Sequence, residues 1–163
     1  MNKDAPLKIA LVSIHIQKSS RAVPLGAAMI ASSVKSSIPD IAQPFLIDLY
    51  LDQTVDESAD MILKTGPDCV GFSVYLWNRK QALHIARALK KIKPELIVFA
   101  GGPEPTASLP DFKKDGCGNF DFILGGEGEN ISVEAVRILA GGALPGDSRA
   151  LLPVSLDELP SPY

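Results

Sequence analysis

Leu96-Ile97-Val98-Phe99-Ala100-Gly101-Gly102-Pro103-Glu104 is an apolar, partly β-branched run that stops on paired glycines, and Phe122-Ile123-Leu124-Gly125-Gly126-Glu127-Gly128-Glu129 does the same later in the chain. A short apolar run without polar alternation reads as a strand buried on both faces, as in parallel sheets. Ligands of open parallel sheets enter at the carboxyl ends of the strands, where glycine lets the backbone come close to a bound group. The two runs therefore point to an architecture and to one edge of it.

Working outward, Lys8–Ile14, Pro44–Tyr50 and Cys69–Val74 carry the same strand pattern, with Glu95–Ala100 and Asp121–Leu124 as fourth and fifth strands. Helical patterns fill the gaps. Pro24 suits the first turn of a helix whose Val23, Ala27, Ile30, Ala31 and Val34 share a face, and which ends before Pro39. Thr54-Val55-Asp56-Glu57 has the spacing of a capping box, ahead of a helix burying Val55, Ala59, Ile62 and Leu63. After Asn78 an amphipathic helix turns Ala82, Ile85, Ala86, Leu89 and Ile92 inward and Lys80, His84, Arg87 and Lys91 outward. A short helix is expected over Ser108–Lys114, and a longer one from about Asn130 to Ala140.

Strand followed by helix, five times over, predicts an α/β fold: a Rossmann-like, flavodoxin-like, doubly wound five-stranded parallel sheet in the order 2-1-3-4-5. Residues 1–142 form one domain on this reading. The segment from Gly141 on has four prolines and no helical period, so 143–163 is expected to be an extended linker.

The chain has 163 residues, 46% hydrophobic and 21% charged, with a net charge of -3, which describes a soluble globular domain and makes nucleic acid a poor partner. No apolar stretch is long enough to cross a bilayer, and no signal-peptide order follows Met1. Cys69 in a strand and Cys117 in a glycine loop form no disulfide framework, so a reducing, cytoplasmic setting is expected. There is no Cys-x-x-Cys pair, and His15 and His84 are remote from one another, so no metal cage is legible.

At the carboxyl edge, neither a phosphate loop nor a dinucleotide fingerprint follows the first strand. His15-Ile16-Gln17-Lys18-Ser19-Ser20-Arg21 offers hydroxyls and cations there but no glycine. A receiver-type phosphoacceptor would need an aspartate where Ser73 stands. Ser73-Val74-Tyr75-Leu76-Trp77-Asn78 brings a hydroxyl, two rings and an amide to the edge, suited to a flat, amide-fringed ligand or to a partner surface. Glu127 and Glu129 beside a helix start are accounted for by the helix dipole alone, and they repel a phosphate placed there. Three readings stay open on these grounds: a cofactor-binding module, a flavin or nucleotide domain of flavodoxin type, and a protein-interaction domain.

Taken together, Val70-Gly71-Phe72-Ser73, Phe99-Ala100-Gly101-Gly102-Pro103-Glu104 and Leu124-Gly125-Gly126-Glu127-Gly128-Glu129 resemble the amino-terminal cobalamin-binding domain of cobalamin-dependent radical S-adenosylmethionine enzymes. Leu156-Asp157-Glu158-Leu159-Pro160 resembles the linker before their radical domain. The resemblance implies a corrin ring over the strand ends, with its nucleotide tail detached from cobalt and threaded beside the first helix. By it, the cofactor would be bound by Ser13 and the run Val23, Pro24, Leu25 and Gly26, then by Ser73, Val74, Tyr75, Trp77 and Asn78. Gly101, Gly102, Pro103 and Glu104 would complete the site with Gly126, Glu127 and Gly128. The histidine-ligated pattern Asp-x-His-x-x-Gly is absent: if Gly26 is its glycine, Val23 stands for the histidine and Arg21 for the aspartate. Cobalt is thus expected without a protein imidazole. With only two cysteines, the chain lacks the Cys-x-x-x-Cys-x-x-Cys that binds a [4Fe–4S] cluster. The cluster and S-adenosylmethionine are expected in a downstream radical domain of the same polypeptide, the partner that receives the cobalamin chemistry.

Overall fold

The structure, a computed structural model, describes residues 5–19, 22–107, 109–115, 118–149 and 159–162. Expectations for Ser20, Arg21, Ser108, Cys117 and 156–158 lie outside the described residues. The elements are β1 (Leu7–His15), α1 (Leu25–Ser37), β2 (Ala42–Tyr50), α2 (Val55–Lys64), β3 (Cys69–Ser73) and α3 (Arg79–Ile92). Then come β4 (Ile97–Gly101), α4 (Pro103–Ala107), α5 (Leu109–Asp115), β5 (Phe122–Gly125), α6 (Gly128–Ala140) and β6 (Ser148–Arg149). The first five strands are parallel and ordered 2-1-3-4-5, as the alternation of patterns requires.

Because successive side chains of a strand point to opposite faces, β1 divides its apolar residues between two cores. Ala10, Val12 and Ile14 join Ala59, Ile62, Ala82 and Ile85 beneath α2 and α3. Leu7, Ile9 and Leu11 join Ala27, Val34, Ala135, Val136 and Leu139 beneath α1 and α6. The capping box of α2 forms as its spacing predicts: the Glu57 amide donates to Thr54 Oγ1 at 3.2 Å and the Thr54 amide to Glu57 Oε2 at 2.9 Å. Those bonds from Thr54 hold the Glu57 carboxyl below its ordinary range.

The structure corrects the sequence reading at four places. Val23 precedes α1 and is 54% exposed, so it lies outside that helix's buried face. Ile92, the last residue of α3, is 59% exposed, so it lies outside that helix's buried face. The short helix expected over Ser108–Lys114 is α5, and α4, which begins directly at Pro103, was not foreseen. The terminal segment does not simply leave the domain. Ser148–Arg149 adds a sixth parallel strand beside β5, the Ile123 amide donates to Asp147 Oδ1 at 2.8 Å, and Ser32 Oγ donates to the Ser161 carbonyl at 2.7 Å. An edge strand needs only backbone partners, so its sequence has no period to betray it.

Cys69 is buried in β3, and burial, reinforced by the neighbouring Asp68 charge, pushes its thiol up to about 12. The folded state holds this proton above the ordinary value of 9.0, so the contribution to stability is complete below that value and is lost as the pH rises towards about 12. Iodoacetamide at pH ~8 should therefore alkylate Cys69 only after denaturant is added, because burial keeps the thiol protonated and inert. Peptide mass spectrometry reads this, and alkylation of Cys69 in the native protein would contradict it.

Candidate functional site

Strand register assembles the site. Ser13 pairs with Ser73, Ser73 with Gly101 and Gly101 with Leu124, so three small residues lie side by side across the sheet at its carboxyl edge. One layer down, on the same face, the row is Leu11, Gly71, Phe99 and Phe122. The Phe99 ring lies over Gly71, where a Cβ would come within 2.3 Å of it, and stacks on Phe122 with centroids 5.0 Å apart. Small residues above a floor of rings leave a hollow beneath α1 and α6. This is a groove of about 220 Å³, lined on the helix side by Gly26, Ala27 and Ile30 of α1 and by Gly128, Glu129 and Ser132 of α6.

The groove meets a wider cleft of about 640 Å³ above the ends of β1 and β3, lined by His15 to Gln17, Val23 to Ala27, Trp77 and Asn78. Gly26, Ala27, Ser73 and Tyr75 line both. The cleft has an apolar rim. Tyr75 and Trp77 stack at 4.5 Å and 12°, and Ile16 and Leu25 stand exposed. Among the described residues, neither hollow is lined by lysine or arginine, while Glu127 and Glu129 border the groove.

The loops at this edge are tied to one another. Asn78 is buried, and its side chain does not cap α3: Nδ2 donates to the carbonyls of Ser73 at 3.1 Å and Ile14 at 3.3 Å, and Oδ1 accepts from the Tyr75 amide at 2.9 Å. Gly102 has φ +109°, and a Cβ there would lie 2.7 Å from the Val74 carbonyl oxygen, so this glycine serves the packing of one loop on the next as well as the groove. Thr106 Oγ1 donates to the Gly102 carbonyl at 2.7 Å and accepts from the Gly126 amide at 2.9 Å, joining both glycine loops. Arg79 forks between Glu104 and Asp115 over the Phe112 ring, and the hydrogen bond to Glu104 raises its pKa further.

Of the positions singled out from sequence, Ser13, Val23, Pro24, Leu25, Gly26, Ser73, Tyr75, Trp77 and Asn78 line the cleft, the groove or both. Gly101, Gly102, Pro103, Gly126, Glu127 and Gly128 line the groove. Val74 and Glu104 line neither: Val74 is fully buried on the opposite face of the sheet, and Glu104 is engaged by Arg79. Thr106, Ser132 and Asp48 were not legible as site residues, since each depends on contacts between distant segments. His15 Nε2 lies 2.7 Å from Asp48 Oδ1, and its ring sits 5.8 Å from that of Tyr50. Both neighbours belong to β2, so the imidazole leans away from Ser73 and the groove.

A family model described as the B12 binding domain matches residues 19–136. Hopanoid C-3 methylase of Methylococcus capsulatus is 31% identical over 124 residues, covering 74% of this chain and 23% of that protein. The cobalamin-dependent radical SAM methyltransferase TokK of Streptomyces tokunonensis is 34% identical over 95 residues, covering 54% and 12%. The chain thus spans a quarter or less of these relatives. Among solved structures, the radical S-adenosylmethionine methyltransferase TsrM of Kitasatospora setae has the same fold over 83% of this chain and 26% of its own, with a TM-score of 0.63 at 14% identity.

Proposed function

Because this chain belongs to the B12-binding domain family, we propose that it holds cobalamin with the nucleotide tail detached from cobalt and no protein histidine in its place. The reading is carried by the shape of the site, a wide apolar-rimmed cleft joined through Gly26, Ala27, Ser73 and Tyr75 to a narrow groove. A broad, flat corrin suits the first and a slim heteroaromatic tail the second. The fit extends to chemistry: the groove is apolar apart from its hydroxyls and acidic rim, and Ser132 Oγ is buried in it with no hydrogen-bond partner among the described residues. Bound cobalamin supplies an organometallic cobalt centre able to carry a methyl group or enter radical chemistry. Ser13, Ser73 and the glycines beside them would hold the tail, and Tyr75 and Trp77 would flank the ring. Flavin mononucleotide fits less well, because its phosphate would meet Glu127 and Glu129 with no cation among the described lining residues.

The relatives lead to a second layer of the proposal. The chain acts as the cofactor-presenting part of a larger cytoplasmic enzyme whose radical domain carries the [4Fe–4S] cluster and S-adenosylmethionine. The segment beyond residue 142 leads towards that domain.

Incubation with hydroxocobalamin followed by desalting should leave corrin absorption bands with the protein, and their complete loss would refute cobalamin binding. After reduction to the cob(II) state, electron paramagnetic resonance should show no nitrogen splitting from an axial ligand, identically in wild type and His15→Ala. Nitrogen splitting that disappears in His15→Ala would make His15 an axial ligand, with Asp48 as the carboxylate that orients it.

A further inference from the structure

Ser33 Oγ and Ser132 Oγ are the two buried side-chain polar atoms without a hydrogen-bond partner among the described residues. Ser33 lines neither hollow. Ser132 lines the groove, is 2% exposed, and stands one turn after Gly128 on α6. A serine inside a helix ordinarily quiets its hydroxyl on the carbonyl four residues back. Here it does not. A buried hydroxyl left unpaired costs free energy, and Ser132, unlike Ser33, lines a hollow from which a bound group can supply the missing bond.

The groove narrows what that partner can be. Its apolar lining includes Leu11, Ile30, Phe99 and Leu124, with Glu127 and Glu129 also bordering it and no cation among the described lining residues. An anionic phosphate would be desolvated there against like charge. A neutral, flat heteroaromatic ring is not penalised in that way, and if it carries an in-plane lone pair it needs one donor. We propose that Ser132 holds the lower base of the bound corrinoid, its Oγ–H donating to the ring nitrogen that cobalt releases when the tail detaches. The phosphodiester then stays nearer the junction with the cleft, by Ser73 and Gly26. This inference rests on the cobalamin reading above and adds a preference: lower bases with a free ring nitrogen over those without one.

Two corrinoids and one substitution test it. The probes are cobalamin, whose benzimidazole base has the nitrogen, and a cobamide with a phenolic base, which has none; affinity is read by equilibrium dialysis and visible absorption. Ser132→Ala should weaken cobalamin about five- to tenfold, the worth of one hydrogen bond, and leave the phenolic cobamide unchanged. The ratio between probes cancels the different cost of freeing each base from cobalt. The apo form of Ser132→Ala should melt at the same temperature as wild type or higher, since an orphan hydroxyl is removed, and this separates a binding role from a structural one. Equal loss for both probes, or no loss for cobalamin, overturns the role of Ser132 while the cobalamin reading stands. Failure of wild type to retain either corrinoid overturns that reading and this inference with it.

Discussion

Gly26→Leu is expected to abolish corrinoid retention in a chain that folds as well as wild type. Gly26 lines both the cleft and the groove, and the direction of its missing Cβ ends 3.6 Å from Tyr75 Oη. Alanine fits there in ordinary contact. A leucine grows from that Cβ across the junction and denies the tail its path. A heteroaromatic base burying on the order of 150 Å² contributes roughly 4 kcal/mol at ~25 cal/mol per Å². Its exclusion should weaken binding about a thousandfold. The fold has no reason to object, because Gly26 is exposed in the first turn of α1 and replacing a helical glycine gains up to about 1 kcal/mol. Desalting after incubation with cobalamin reads the binding and a thermal melt reads the fold. Gly26→Ala, the control, should keep both. Undiminished retention by Gly26→Leu would show that the tail does not pass this point.

The opposite pattern is expected of Asn78→Ala, which should damage the fold first. Its side chain serves two carbonyls and one amide from three positions, Ile14, Ser73 and Tyr75, at the level where β1 and β3 end. Alanine leaves these groups without that partner at a site where Asn78 itself is 1% exposed. With each lost bond to a buried group costing about 1–3 kcal/mol, the total is about 3 kcal/mol or more. For a chain of this length that lowers the melting temperature by roughly 6–12 °C. Asn78→Asp keeps the acceptor for the Tyr75 amide but turns a carboxylate oxygen towards the carbonyls of Ile14 and Ser73, and should do no better. A drop of under about 2 °C in Asn78→Ala would show that water replaces the amide at no cost.

Gly26 and Asn78 line one cleft, and the sequence treats them alike. Both stand as site positions, Gly26 through the family resemblance and Asn78 also through its amide at the carboxyl edge. The structure separates them, because Gly26 faces the hollow, with the Tyr75 hydroxyl at contact distance, whereas Asn78 faces backbone. Glu104 underwent a similar change of meaning. The family resemblance places it among the cofactor-binding residues after the paired glycines, yet Arg79 at the start of α3 holds it. Conversely, Ser132 sits within a helix of ordinary amphipathic pattern, and only the approach of α6 over the small row of Ser13, Ser73 and Gly101 gives its hydroxyl something to face.

From its order of residues alone, this chain determined the five strands that carry the sheet, their order, and the edge that bears the site, but not the sixth strand. Hydrophobic period and turn chemistry are local, and right-handed crossovers turn a list of local elements into one topology. The tertiary structure decided the depth of the groove, its floor of Phe99 and Phe122, the partners of His15 and Asn78, and the isolation of Ser132. Each of these depends on register between strands or on how one helix crosses another. Such distances are set by packing between residues far apart in the chain, and no period within a single element encodes them.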